Sequence, residues 1–380
     1  MPGRLLSAFL AVVVAALVSS AAPPPPVAFL KDIPAAQKEA KNLRIPSYVV
    51  LTKAKATAVP AAGDARVARL AKEFACASVP LTAALTKQYD LDGDAHVLLL
   101  DPDGAVLDKF GSDATPENLV AAMKARVADA RAELRKSAGP EADAKARKAA
   151  VTGLIRLGPV AEDLVPFLTD SDTAVKEAAR KALAAMPPEA STGALMDALK
   201  SDEAALRTAA HPLAVHATGY KGAPLKMWQS GTAEDRTAAW DKWNDAVEKQ
   251  FPPLNRAVLA YAEFSLGAQV TNGECSSLAS EAFKECKAKP MVISGKTYIW
   301  GREVKSGEPV LPGDVIQFEG VKFANGAAPH HTAVVRKVLG PGRYETLEQN
   351  VNGVKKVQPG KLDMVTVKEG TIVIFRPQPK

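Results

Sequence analysis

At Phe251-Pro252-Pro253 the chain changes character, and that break constrains its architecture more than any other feature. Two prolines remove backbone donors and push the preceding residue away from helical geometry, so a helix must end there. Before the break lie helices, with a few strands near the start; after it, one cysteine-led helix gives way to strands. The 380 residues are 47% hydrophobic and 24% charged, which suits two or three globular domains and is too apolar for a mainly disordered chain. The net charge is +6, and five of those six charges fall between Phe251 and Lys380. That surplus is small, and no basic run is interleaved with aromatics, so nucleic-acid binding is not expected. Only three cysteines occur (Cys76, Cys275, Cys286), which excludes a disulfide-stapled scaffold.

Residues 1–22 read as an export signal. Arg4 gives the positive start, Leu5–Val18 is an apolar run, and Ser19, Ser20, Ala21 and Ala22 offer a cleavage site before Pro23–Pro26. The run is shorter than the roughly 20 residues that span a bilayer. The expected protein is therefore exported to a periplasm, cell envelope or medium, and meets a membrane only if the signal is kept as an anchor.

Residues 27–130 alternate helix and strand. Lys31–Asn42, Ala65–Ala77 and Asn118–Ala130 read as helices; Ser47–Thr52, His96–Leu100 and Ala105–Phe110 read as strands, the last two joined by the turn Asp101-Pro102-Asp103-Gly104. This order resembles the second half of a thioredoxin-like domain. The Cys-x-x-Cys of that family is missing, since Thr52-Lys53-Ala54-Lys55 follows the first strand and Cys76 stands alone. Internal disulfide exchange is therefore not expected. Asp90, Asp92 and Asp94 suggest a calcium loop, but Ala95 takes the position that needs glycine and no glutamate closes the loop.

From 131 to 226 the pattern is helical and repeats at close to 32 residues. Ala146-Arg147-Lys148-Ala149 returns as Ala179-Arg180-Lys181-Ala182, and Phe167–Asp172 is echoed by Ala198–Glu203. Such stacking helix pairs resemble HEAT repeats, which implies a surface for a protein partner. His211 and His216 sit in this Ala-rich context as core or surface residues rather than metal ligands. A connector at 227–252 follows, with Trp240, Trp243 and Val247 on one helical face for packing.

The chemistry concentrates in residues 253–380. Cys275 begins a helix running to Lys287, and the free N–H groups and dipole of a helix start favour a thiolate. Glu274 opposes that charge. His331 opens an alternating strand with Ala333 and Val335 on one face, where it can take the thiol proton. Tyr344, Thr346, Glu348 and Asn350 share a face of a further strand at period two, so Glu348 or Asn350 can hold the imidazole in one tautomer. His330 is the alternative base, on the opposite face. Gln269, six residues before Cys275, is a candidate oxyanion donor beside the Cys275 N–H. Cys286 lies about 16 Å along the helix from Cys275, too far to pair with it. No HExxH or paired Cys-x-x-Cys is present, so neither a metal nor a cofactor is expected.

The order Gly273-Glu274-Cys275, Pro312-Gly313-Asp314-Val315-Ile316, His331-Thr332-Ala333-Val334-Val335, Glu348-Gln349-Asn350 resembles a CHAP domain, within the papain-like NlpC/P60 cysteine peptidases and amidases. That resemblance implies Cys275 as nucleophile, His331 as base, Glu348 as orienting acid and Asn350 as auxiliary, with peptide or peptidoglycan as substrate. Glu274 stands where CHAP domains have glutamine, and Ser276 where they usually have an aromatic. The longer string QFEGVKF, HHTAVV, LEQNVNG and FRP is similar to the C-terminal cysteine-proteinase-fold domain of a fungal actin-patch adaptor, the myosin-tail-interacting protein. Two expectations follow for this multidomain α+β chain. One is an exported cysteine hydrolase of CHAP-like type; the other is a non-catalytic interaction or scaffold protein.

Overall fold

The computed structural model describes residues 27–54, 56, 58–139, 141–220, 222–295, 297–324 and 326–380. The export signal read at residues 1–22 and the prolines at 23–26 lie outside the described residues. Among the described residues, no helix is long and apolar enough to cross a membrane.

The first part is a four-stranded sheet with helices. In chain order it contains α1 (Ile33–Leu43), β1 (Ser47–Thr52), α2 (Ala65–Leu70), β2 (Ala75–Pro80), α3 (Ala83–Tyr89), β3 (Ala95–Leu100), β4 (Val106–Phe110) and α4 (Pro116–Ser137). The strand order is β2-β1-β3-β4, with β1 and β2 parallel and the other pairs antiparallel. β1 and β3 hold the middle, and β3 is buried along its whole length, so its sequence is apolar apart from His96. In the turn to β4 the Asp101 carboxylate accepts from the N–H groups of Asp103 and Ala105. Asp32 and Thr115 cap α1 and α4 through their side-chain oxygens.

Two expectations change here. Ala75–Ala77, expected to continue a helix, begin β2. Small residues are neutral by pattern, and the ladder to β1, starting at Ser47 opposite Ala75, claims them. The helix expected at Asn118–Ala130 runs on to Ser137, through the boundary read at 130.

Helices α5 (Ala144–Arg156), α6 (Ala161–Leu164), α7 (Thr173–Ala185), α8 (Pro188–Ala198), α9 (Ala204–Thr218), α10 (Leu225–Ser230) and α11 (Ala233–Gln250) follow. One apolar core runs without interruption from Ile33 through the sheet into these helices as far as Val247. Gly153 permits that continuity, because a Cβ there would stand 2.5 Å from the Leu43 carbonyl oxygen at the end of α1. Arg131 of α4 pairs with the buried Asp163. Trp228 and Trp243 are fully buried with centroids 6.0 Å apart, and Trp240 donates its Nε1–H to the Met196 carbonyl at 2.7 Å. The tryptophan face of α11 thus packs on the preceding helices.

The last part begins with α12 (Pro253–Phe264) and α13 (Cys275–Glu285), then a small hairpin, β5 (Val292–Ser294) and β6 (Thr297–Ile299). β7 (Arg302–Glu303), β8 (Val315–Phe323), β9 (Gly326–Gly340), β10 (Arg343–Glu348), β11 (Gln358–Asp363) and β12 (Val367–Arg376) form an antiparallel sheet of order β11-β10-β9-β8-β12-β7. Alternation along the strands makes two cores. Val315, Val334, Leu347 and Phe375 pack with Val258, Leu278, Phe283 and Trp300 on the helix side. Ile316, Phe318, Ala333, Val335, Tyr344 and Leu362 pack on the other.

The Pro312-Gly313-Asp314 motif is structural. Fully buried Asp314 accepts from the Leu311 N–H at 2.8 Å, Asn255 Nδ2 at 2.7 Å, and both Nε and Nη2 of Arg376. Gly313 has φ +85°, and a Cβ there would lie 2.1 Å from the Asn255 carbonyl oxygen. The motif therefore joins α12, the start of β8 and the end of β12.

Candidate active site

Cys275 is the first residue of α13 and is partly exposed. Its backbone N–H therefore has no acceptor within the helix. The loop before it is tightly held. Asn272 Oδ1 accepts from the Glu274 N–H at 3.2 Å and from the Ser277 hydroxyl at 2.7 Å. Gly273 takes φ +81°, and a Cβ there would meet the Lys355 side chain at 2.7 Å. Glu274 precedes the thiol, but its carboxylate accepts from Asn350 Nδ2 at 3.1 Å and lies 3.8 Å from Lys355 Nζ.

His331 Nε2 is 2.7 Å from Glu348 Oε2, between β9 and the end of β10. The Cys275 thiol is close enough to the same imidazole to act on its charge. Burial pulls the imidazole pKa down. Hydrogen bonds and charge from Cys275 and Glu348 outweigh burial and raise it to about 9. Only 12% of the His331 side chain and 15% of Glu348 are exposed, so bulk water screens this pair weakly. The structure thus brings Cys275, His331 and Glu348 together.

Two other expected residues make different contacts. Asn350 does not share the face of Tyr344, Thr346 and Glu348. β10 ends at Glu348, and Asn350 sits in a turn at φ +62°, where it holds Glu274 rather than His331. Gln269 is exposed, and its Nε2 donates to the Thr271 carbonyl at 3.1 Å. That bond occupies the amide within its own loop instead of leaving it free for an oxyanion. The other cysteines differ from Cys275. Cys76 is buried against the Ala71 carbonyl, and burial pushes its thiol up to about 12. Cys286 caps the far end of α13, and all three cysteines are free.

Two residues that sequence reasoning passed over hold the site. Gln349, fully buried between Glu348 and Asn350, donates to the Glu274 carbonyl at 2.8 Å and the Val270 carbonyl at 3.2 Å, and accepts from the Val270 N–H at 2.8 Å. It ties the loop before the cysteine to the strand that carries the acid. Gly360 of β11 faces the Glu348 carboxylate. A Cβ there would stand 1.5 Å from Glu348 Oε1 and 2.6 Å from Thr346 Oγ1, so the missing side chain is the room the carboxylate occupies. The Thr346 hydroxyl completes the seat, 3.0 Å from Oε1. Gln349 appeared in the sequence only as the middle of the Glu348-Gln349-Asn350 string, with no sign of its bonds, and nothing marked Gly360.

A cavity of about 380 Å³ opens beside His331 and Glu348. Phe318, Phe323, His330, His331, Glu348, Asn350 and Leu362 are among its walls. Among the described residues, no cluster of His, Cys, Asp and Glu suits a metal ion.

A cysteine at a helix start, a histidine on one strand and an acid on the next, over an antiparallel sheet, define the cysteine-proteinase fold for this part of the chain. Residues 250–380 match the family model of the AIM3/BBC1 cysteine proteinase-fold domain, and the fold assignment of the C-terminal part rests on that match. Among solved structures, the chain is similar to the crystal structure of Ly7917 at 20% identity and a TM-score of 0.25, over 32% of this chain and 62% of that one. It is also similar to the crystal structure of Ly7917 with the hydrolyzing product of MDP, at 22% identity and a TM-score of 0.26, over 32% and 63%. The chain thus spans less than two thirds of the length of these solved chains. No curated protein matches it.

Proposed function

We propose that the C-terminal part is a cysteine hydrolase that cleaves an amide or peptide bond. The observation that carries this reading is His331, shared between the Cys275 thiol and Glu348. In the first step the Cys275 thiolate attacks the substrate carbonyl carbon. The imidazolium of His331 gives its proton to the departing amine, which leaves an acyl-thioester. His331, now neutral, then takes a proton from water; the hydroxide attacks the thioester, the carboxylic acid leaves, and the Cys275 thiolate and His331 imidazolium are restored. Glu348 keeps the ring in one tautomer throughout. The Cys275 N–H is the backbone donor for the oxyanion.

Peptidoglycan peptide as substrate, and export to the envelope, belong to the same proposal. They are supported by the CHAP-like order of motifs and the apolar run at Leu5–Val18. For the N-terminal parts we propose a thioredoxin-like domain without redox function and a HEAT-like array. The strand order β2-β1-β3-β4 and the successive helix pairs support those readings.

The test is turnover of purified cell wall and of peptide amides, wild type against Cys275→Ala, together with iodoacetamide labelling located by mass spectrometry. Turnover lost in the alanine variant, with labelling at Cys275, is the expected result. Equal turnover in both proteins and no labelling at Cys275 would leave the second reading, a scaffold whose helical array binds a protein partner. The likeness of the string QFEGVKF, HHTAVV, LEQNVNG and FRP to the cysteine-proteinase-fold domain of a fungal adaptor favours that alternative.

A further inference from the structure

The adjacent histidine, His330, is held by a second set of residues that the cysteine chemistry does not use. Its Nδ1 is 2.9 Å from Oε2 of Glu319, its cross-strand partner on β8. Glu319 is fixed in turn, since Oε1 accepts from Gln317 Nε2 at 3.0 Å. Gln317 is fully buried, and its Oε1 accepts from Trp300 Nε1 at 3.0 Å and from the Thr332 hydroxyl at 2.8 Å. Tyr298 stands edge-on to the His330 ring with 4.6 Å between centroids. The ring is therefore gripped at Nδ1 and from the side of Tyr298, through a network whose inner members are out of contact with water.

What this grip leaves open is Nε2, which has no partner among the described residues. The side chain is 36% exposed and borders the same cavity as His331 and Glu348. A carboxylate on one ring nitrogen keeps the proton there, so the other nitrogen of the neutral ring presents its lone pair. β10 pairs with β9 only from Ala333 onward, so the segment of β9 that carries His330 lies beyond the reach of that neighbour.

We propose that His330 is a substrate-binding residue: oriented by Glu319, it offers Nε2 as hydrogen-bond acceptor to a backbone N–H of a peptide lying in the cavity beside His331. The inference rests on reading Cys275 as the nucleophile. It adds a peptide-recognising contact to that site and divides the two histidines by task, one for proton transfer and one for holding the substrate chain. Gln317, Trp300 and Thr332 are positioning residues for it.

The experiment compares two alkylating reagents on the full chain, iodoacetyl-Ala-Ala-amide and iodoacetamide, with labelling at Cys275 followed by mass spectrometry. The ratio of their second-order rate constants cancels the reactivity of the thiol and reports recognition of the peptide portion. Wild type should favour the peptide reagent. His330→Phe and His330→Asn should lower the ratio by roughly five- to tenfold, the scale of one lost hydrogen bond, and Glu319→Gln should lower it part of the way. A wild-type ratio near one, or a ratio that both His330 variants leave unchanged, would overturn the assignment. Equal slowing of both reagents would do the same, because the ring would then be acting on His331 rather than on substrate. If neither reagent labels Cys275, the nucleophile reading and this one fall together; unselective labelling sinks only the role of His330.

Discussion

Replacing Gly360 with alanine should disable the site while leaving the sheet standing. The backbone at 360 is not in the left-handed region, so alanine is allowed there, and the whole perturbation falls on what the new methyl meets. It meets Glu348 Oε1 at 1.5 Å and Thr346 Oγ1 at 2.6 Å, distances no relaxation of a few tenths of an ångström relieves. The carboxylate must leave its seat, and with it goes the 2.7 Å bond to His331. Overpacking and one lost charge-assisted hydrogen bond together suggest destabilisation of about 2–3 kcal/mol. The sign with pH follows from His331. Its pKa is raised in the folded state, so its contribution is complete below about 6.5 and disappears as pH rises through about 9. Gly360→Ala should therefore cost more stability at pH 6 than at pH 10.

Two measurements check this. NMR titration of His331 should show its pKa falling below about 9, because only Cys275 then remains to offset burial. Turnover in the hydrolase assay should fall by a hundredfold or more, within the range of roughly 10²–10⁴ that general acid–base catalysis supplies. Glu348→Asp added to Gly360→Ala should recover part of both, since a shorter carboxylate leaves room for the methyl. A folded Gly360→Ala protein with His331 still titrating near 9 would refute the reasoning.

Other perturbations test the supports around the site. Gln349→Leu strands the Val270 N–H and the Val270 and Glu274 carbonyls; a urea melt should show a loss of about 2–4 kcal/mol, and iodoacetamide labelling of Cys275 should slow roughly tenfold. Asp314→Ala leaves Arg376 without its buried partner and should cost about 3–5 kcal/mol by chemical denaturation, enough to unfold much of the C-terminal part. Glu73 lies next to Arg131 and Arg156; burial pushes its carboxyl up to about 7 and outweighs both arginines. A carboxyl raised this way destabilises the fold as pH climbs from about 4.5 to 7, so Glu73→Gln should stabilise by about 1–3 kcal/mol at pH 8 and by little at pH 4, read as denaturation midpoints.

What the sequence revealed depended on whether the relevant physics was local. Helix starts and strand interiors are local, so Cys275 on α13 and the buried run of β3 could be read directly. Alternation within two strands offered Glu348 or Asn350 to His331, and the contact that forms is with Glu348. Alternation then misled at Asn350, because a period of two holds only while the strand lasts, and the left-handed turn after Glu348 resets it. Ala75–Ala77 were misread for a related reason, as alanine satisfies either periodicity until a neighbouring strand decides. Gln349 and Gly360 matter through space, one by three bonds to a loop about 75 residues earlier and the other by an absent methyl. Neither leaves a trace in spacing.

The core shared by the first sheet and the helices after it bears on how this protein comes apart. With α4 crossing from one to the other and no gap in the apolar interior up to Val247, neither half can loosen without exposing the other's inner surface to water. The C-terminal sheet has its own two interiors, and that part meets the first core through Phe264 of α12, whose carbonyl accepts from Arg69 at 3.0 Å. Calorimetry should accordingly record two melting events, and a protease at moderate temperature should release the cysteine-bearing piece intact near the Pro252–Pro253 hinge while digesting, or sparing, everything before it as one.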